Sequence, residues 1–430
     1  MTKRTAFVNA RLLDPASDLD MTGGLLAEDG KITDFGPDLF KDGVPDVDQL
    51  VQCDGLCLAP GLIDMRVQVR EPGEEHKETI ESASHAAAAG GVTAMVCLPN
   101  TEPVIDDISV VEFVARRARE IKMVKLYCYG ALTRGMEGEQ ITEMGLLADS
   151  GALGFTDGIK ALTDPLVMRR ALSYARTFGL LVIQHPEDPD MVDDGVMNEG
   201  ELASRLGLPG IPAVAEVMMV ERDLRLLSLT GGRYHASHLS TAASINAVRR
   251  AKFDGLDVTC DTAPHYFALN ENAVSDYRTF AKVSPPLRSE QDRNAVVEGL
   301  KDGTIDAIAS DHAPHDQDSK RLPFVQAECG IIGLETLLPL TLELYHNGHL
   351  TLLEALGKVT AAPASILRLP SGRINRGAPA DLLLFDPNRP WTIDEEKFRS
   401  KSNNSPFHDR PVQGMAVRTF VEGRTIYTAV

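Results

Sequence analysis

The chain has 430 residues, of which 43% are hydrophobic and 24% charged, the proportions of an ordinary soluble globular protein. Its 43 basic residues stand against 62 acidic ones, a formal net charge of −19, and no cluster of Lys or Arg interrupts that acidity. Nucleic acid and anionic membrane are therefore excluded as expected partners, because binding to either draws on basic patches.

Residues 1–58 read as short strands, with Asp29-Gly30 as a hairpin turn. From Gly61 the pattern changes to strand followed by helix, repeated. The stretch Ala59 to Gly73 begins as a buried strand after Pro60 and Gly61 and is broken at Glu71, Pro72 and Gly73. Alternate residues of a strand share a face, so Asp64, Arg66, Gln68 and Arg70 are expected on one side and Ile63, Met65, Val67 and Val69 on the other. Four polar groups in a buried strand are costly unless they are used. A helix ending at Gly90 and Gly91 follows, then VTAMVCLPN. The next helix starts near Asp106 and sets Val110, Val114, Ala118 and Ile121 on one face. VKLYCYGAL and ALGFTDG are the next strands. Asp164, Pro165 and Gly179 then mark a helix by N-cap, first-turn proline and C-terminal glycine. LLVIQHPED, a helix from Pro212 to about Thr230, RYHASHLST, a further helix, LDVTCDTAPHYF, a helix near Gln291 to Lys301 and TIDAIASDHAPHD complete the series. Eight strand–helix units predict an α/β fold, a (β/α)8 barrel over 59–369. After Pro370 the chain returns to short strands. We expect residues 1–58 and 370–430 to pair into one small β-sandwich domain beside the barrel, with Trp391 packed in it.

Six cysteines (Cys53, Cys57, Cys97, Cys128, Cys260 and Cys329) are scattered without a CxxC pair, as expected of buried thiols in a reducing compartment. The N-terminus lacks the apolar core of a signal peptide, and no apolar run approaches the ~20 residues that span a bilayer. The expected location is cytoplasmic.

Chemistry in such barrels sits at the C-terminal ends of the strands. Reading that end strand by strand gives Arg66, Gln68 and Arg70, then Asn100, Asp157, His185, His238, Asp261 and Asp311, with His312 and His315 in the last loop. One polar residue at a strand end is ordinarily a satisfied surface group, but the same register in most of the strands marks a pocket. Within it His185, His238, Asp157 and Asp311 are of the type that binds zinc. His265 and His312 are candidates for orienting pocket groups.

The ordered motifs REPGEEHKETI, CLPNT, FTDG, QHPED, GLPGIPAVAE, SHLST, TAPHYF, PPLRSEQDR and ASDHAPH, with PADLLLFDP and SNNSPF near the C-terminus, resemble those of dihydroorotases. These are amidohydrolase-superfamily enzymes that close carbamoyl-aspartate to dihydroorotate in pyrimidine synthesis. The resemblance implies metal ligands at His185, His238 and Asp311, with Asp311 also the catalytic general base. It also implies a carboxylate at Asp157 and substrate-carboxylate contacts at Arg70, Asn100 and His315. Two departures stand out. Where the family carries an HxH metal-binding pair on the first strand, this chain has Arg66 and Gln68. Arginine stays protonated and offers no lone pair. A guanidinium about 4 Å from Zn²⁺ would be repelled by roughly 8 kcal/mol at an effective dielectric of about 20. Around the same pocket Gly158, Pro186, Ser284 and Glu328-Cys329-Gly330 also depart from the pattern. The expectation is a catalytically silent homologue, closest to the pseudo-dihydroorotases that assemble with aspartate transcarbamoylase, with no cofactor; self-association into a homodimer is a further expected contact. The alternative is an active cyclic amidohydrolase with one Zn²⁺ on His185, His238 and Asp311. A hydantoin- or allantoin-type hydrolase would use a carbamylated lysine, for which Lys160 is the nearest candidate, although it reads more simply as a solvated loop charge.

Overall fold

A computed structural model describes residues 3–429 of the chain. Eight parallel strands hydrogen-bond in chain order: β1 (Leu62–Val67), β2 (Val92–Cys97), β3 (Lys125–Gly130), β4 (Ala152–Phe155), β5 (Leu181–Gln184), β6 (Arg233–Ala236), β7 (Val258–Thr262) and β8 (Ala307–Ile308). The ring closes where Val67 meets His312 in a parallel bridge and the Gln68 N–H donates to the His312 carbonyl at 2.8 Å. The predicted (β/α)8 barrel is therefore present. Its strands are almost wholly buried on both faces, as parallel strands covered on both sides are. Val96, Tyr129, Ile183 and Ala309 fill the interior, while Cys97, Cys128, Val182 and Ile308 pack outward against the helices.

Local signals set the helix ends. In helix Pro165–Phe178 the Asp164 carboxylate accepts from the Leu166 and Val167 N–H groups at 2.7 and 3.2 Å, and the helix ends on left-handed Gly179 (φ +65°). Helix Ile108–Ile121 is capped by Asp107, one residue later than expected, because the Asp107 carboxylate takes the Ser109 N–H at 2.9 Å. Val110 and Val114 are buried on its inner face as predicted.

Both termini contribute to a second, eight-stranded sheet. Strand Cys57–Pro60 is the junction: it pairs parallel with Arg11–Leu12 and antiparallel with Leu382–Phe385. Phe7 and Phe420 meet edge-on in its core, with ring centroids 4.8 Å apart. The expected hairpin at Asp29-Gly30 forms with both residues at positive φ (+48° and +80°), the geometry of a tight two-residue turn. Trp391 donates its indole N–H to the Gly414 carbonyl at 2.8 Å. Among the described residues no helix is long and apolar enough to cross a membrane.

A strap, residues 399–404, runs from this sheet across the barrel mouth. The Arg399 and Ser400 N–H groups donate to one oxygen of Glu335 at 2.6 and 3.2 Å, and the Lys401 N–H donates to Glu78 at 3.1 Å. Asn404 donates to the carbonyls of Ala313 and Gly330, both at 3.0 Å, and accepts the His315 N–H at 3.1 Å. The strap thus holds the loops that follow β1 and β8. Burial, with Glu78 close by, pushes the Glu335 carboxyl from 4.5 up to about 8. The native state therefore keeps a proton that the unfolded chain has released. That contribution to stability is full below the unfolded value and is lost as pH rises toward about 8. Thermal unfolding of the Glu335→Gln variant should show a flatter decline of Tm from about pH 4.5 to 8 than the parent chain; parallel curves would refute this role.

Candidate functional site

The barrel mouth is organised by Arg66. The β1–β2 register shifts between Asp64 and Val67, and the strict alternation expected for this strand does not hold. Ile63 and Met65 pack inward with Val96 and Tyr129, whereas Val67 and Val69 pack with the helix residues Ile80 and Ala83. Irregularities of this kind re-aim side chains beside active sites. Arg66 is 3% exposed; its Nε donates to Asp311 Oδ1 at 2.7 Å and its Nη2 reaches the Gly158 carbonyl at 3.4 Å. Its Nη1 is buried and has no partner among the described residues. Of the three carboxylates that could answer Arg66, Asp311 does so. Asp64 instead takes the backbone N–H groups of Arg66 and Ser310 at 3.2 and 3.1 Å. Both Asp157 oxygens are engaged by Thr133, by its N–H at 2.8 Å and its hydroxyl at 2.6 Å. Burial lifts the Asp311 carboxyl above the usual carboxylate range, and Arg66 pulls in the opposite direction.

His185 and His238 are brought together, with Nδ1 of the first 3.0 Å from Nε2 of the second. Burial and the nearby Arg66 charge push His185 down to about 3, and His238 lies well below the ordinary imidazole value for the same reasons. Both rings are thus neutral, and in their mutual contact one donates while the other accepts. His265, also pushed down to about 3 by burial and then by Arg66, sits 3.9 Å from Asp311 Oδ2, and neither ring nitrogen is hydrogen-bonded among the described residues. Asp261 accepts the His238 backbone N–H and lies 3.2 Å from His235 Nε2. Arg70, His238 and Asp311 all hold positive φ (+60°, +42° and +53°). For non-glycine residues this costs on the order of 1–3 kcal/mol each and persists where surrounding structure enforces it, as at functional sites.

These residues do not fit a zinc ion. Among the described residues no three His, Cys, Asp or Glu side chains converge on a metal-holding geometry. The Arg66 guanidinium sits on Asp311 itself, and the Gln68 amide oxygen is taken by Asn100 Nδ2 at 3.0 Å. His185 Nδ1 and His238 Nε2 do converge, 3.0 Å apart, but among the described residues no third donor joins them in a metal-holding geometry. Lys160 directs its ammonium to the Met136 carbonyl at 3.3 Å.

The residues expected to bind a substrate carboxylate divide into two groups. Arg70 Nη2 lies 3.2 Å from His315 Nε2, while Asn100 is joined to Gln68. Arg70 also pairs with Glu74 at 2.8 Å, a partner that sequence reasoning missed although the i,i+4 spacing marks it. His315 Nε2 is 2.9 Å from the Cys329 carbonyl as well, and it serves either that acceptor or Arg70, according to its tautomer. Glu187 was also missed: it accepts the Ser284 hydroxyl at 2.5 Å and lies 3.7 Å from His185 Nε2. Its place two residues after His185 was the available signal.

Comparison with known proteins follows the same lines. A family model described as Dihydro-orotase-like matches residues 55–244. A dihydroorotase of Ehrlichia canis (strain Jake) is 48% identical over 427 residues, covering 99% of this chain and 95% of that protein. A dihydroorotase of Syntrophotalea carbinolica is 45% identical over 419 residues, covering 97% and 98%. Among solved structures, the L-hydantoinase of Arthrobacter aurescens superposes with a TM-score of 0.86 at 23% identity, over 100% of this chain and 98% of that one. A D-hydantoinase does so with a TM-score of 0.82 at 22% identity, over 99% and 95%. At that identity the likeness is one of fold alone.

Removing either partner of a buried ion pair leaves the other charge uncompensated, at about 3–5 kcal/mol. Arg66→Met and Asp311→Leu should each destabilise the chain by that order, and the double variant by less than either alone, in urea unfolding. Additive losses would show that the two groups are not coupled.

Proposed function

The chain belongs to the dihydroorotase family, and from that premise we propose that it serves pyrimidine biosynthesis as a catalytically silent homologue, a structural and regulatory partner of aspartate transcarbamoylase. The observation that carries this reading is the Arg66–Asp311 ion pair. The carboxylate expected to act as base is tied up in an ion pair with a permanent cation at 2.7 Å, so the oxygen that would face a substrate or a metal is already occupied. The same guanidinium supplies positive charge where the family's pattern calls for metal, so the acidic mouth is balanced without one.

Exposed apolar side chains support a role in assembly. Leu166 and Phe178 on helix Pro165–Phe178, Met218 and Leu229 on helix Val214–Thr230 and Phe253 at the end of helix Ala242–Phe253 stand out on neighbouring elements. Phe253 is 91% exposed.

A second reading, dihydroorotase turnover with a single zinc on His185, His238 and Asp311, draws on the 45–48% identity to proteins named for that activity. The donor set described above opposes it.

The test combines metal content, assembly and turnover on one sample. The purified chain should co-elute with aspartate transcarbamoylase in size-exclusion chromatography and contain no stoichiometric zinc. With Zn²⁺ and dihydroorotate added it should show no turnover that an Asp311→Ala control abolishes. Stoichiometric zinc together with Asp311-dependent hydrolysis would overturn the proposal in favour of the second reading. The double substitution Arg66→His with Gln68→His should raise zinc uptake, measured by equilibrium dialysis and metal analysis, because it removes the opposing charge and adds two imidazole donors.

A further inference from the structure

At the end of the barrel away from the mouth, a groove of about 1120 Å³ opens between helix Ile108–Ile121, the starts of β3 and β4, and the sheet edge at Val421–Arg424. Its size suits a small-molecule ligand. Val111, Val114, Ala118, Leu126 and Leu153 form an apolar floor. The rim has the opposite character to the rest of the molecule. In a chain of net charge −19, Arg119, Lys122 and Arg424 stand exposed around this opening, and none of the three side chains has a carboxylate partner among the described residues. The Arg424 guanidinium donates to the Lys122 carbonyl, which holds the two residues together at the rim. Lys125 lies deeper, and its charge is already answered by Asp381 at 2.8 Å and Glu422 at 3.5 Å. Of the acidic groups lining the groove, Glu422 faces Lys125, and Asp29 accepts the Lys3 backbone N–H at 2.9 Å.

An apolar trough with unanswered cations at its lip complements one kind of molecule. We infer that this groove is a second ligand site, which takes a single-chain aliphatic carboxylate, its apolar chain along the Val111–Leu153 floor and its head at Arg119, Lys122 and Arg424. The occupant is a free amphiphile and not a bilayer, since the cations cluster at one lip of a recess, and the remaining surface of an acidic chain repels anionic lipid. The site shares no residue with the barrel mouth, so it stands or falls independently of the reading given to Arg66.

Decanoate, below its micelle concentration, titrated calorimetrically into the full chain tests this. Saturable one-to-one binding is expected, weakened roughly tenfold or more in the Arg119→Glu/Lys122→Glu variant, with decanamide weaker than decanoate by a similar factor. Both substituted residues are exposed, so the variant should keep the thermal unfolding profile of the parent. Vesicles of anionic phospholipid should fail to sediment the chain. Four outcomes would each overturn the inference: no saturable binding, equal binding by the variant, equal binding of decanamide, or a groove closed by self-association that decanoate does not relieve.

Discussion

A guanidinium and a carboxylate 2.7 Å apart, both enclosed by a ring of eight strands, set the terms for the barrel mouth. Taking two such charges out of water is expensive, and their attraction repays that only with good geometry and additional hydrogen bonds. Arg66 meets the condition through Asp311 and the Gly158 carbonyl, but one of its nitrogens has no partner among the described residues. The field of the pair extends beyond its own contact. It helps keep His185, His238 and His265 neutral, so three imidazoles share a mouth with a fixed positive charge and none adds to it. The permanent charge of Arg66 opposes a divalent cation at this position, and the barrel architecture around it is complete.

That architecture is held from outside as much as from within. The loops after β1 and β8 are tied to the strap by backbone donors and by the Asn404 side chain, and through the strap to the terminal sheet. Arg70, His238 and Asp311 keep strained backbone conformations inside this frame.

Much of this was legible in the sequence where the cause is local. Asp164, Pro165 and Gly179 specify a helix because a cap, a fixed φ and a left-handed glycine act within one turn, and the hairpin at Asp29-Gly30 follows for the same reason. The strand-end register brought His185, His238 and Asp311 to one mouth, since the position of a residue along a barrel strand fixes its height. Long-range pairing was not legible. Nothing near Asp157 announces that Thr133 will occupy both its oxygens, and nothing near Gln68 announces Asn100. The alternation along β1 failed because its pairing with β2 shifts register between Asp64 and Val67, and that shift leaves no mark in the strand's own composition. The SNNSPF motif marked part of the strap, but its docking was not legible for a related reason: its anchors, Glu78 and Glu335, lie far from it in the chain.

The sheet that joins the two termini also imposes an order in time. Strand Cys57–Pro60 must wait for Leu382–Phe385, about 320 residues later, before its second edge is covered. At roughly 5–20 residues per second on the ribosome, that interval is tens of seconds, during which an apolar edge stands open. The barrel, whose strands each pair with a neighbour made shortly before, is complete first. It then serves as the platform on which the last strands dock, and a nascent chain is not safe from edge-to-edge association until its final fifty residues have emerged.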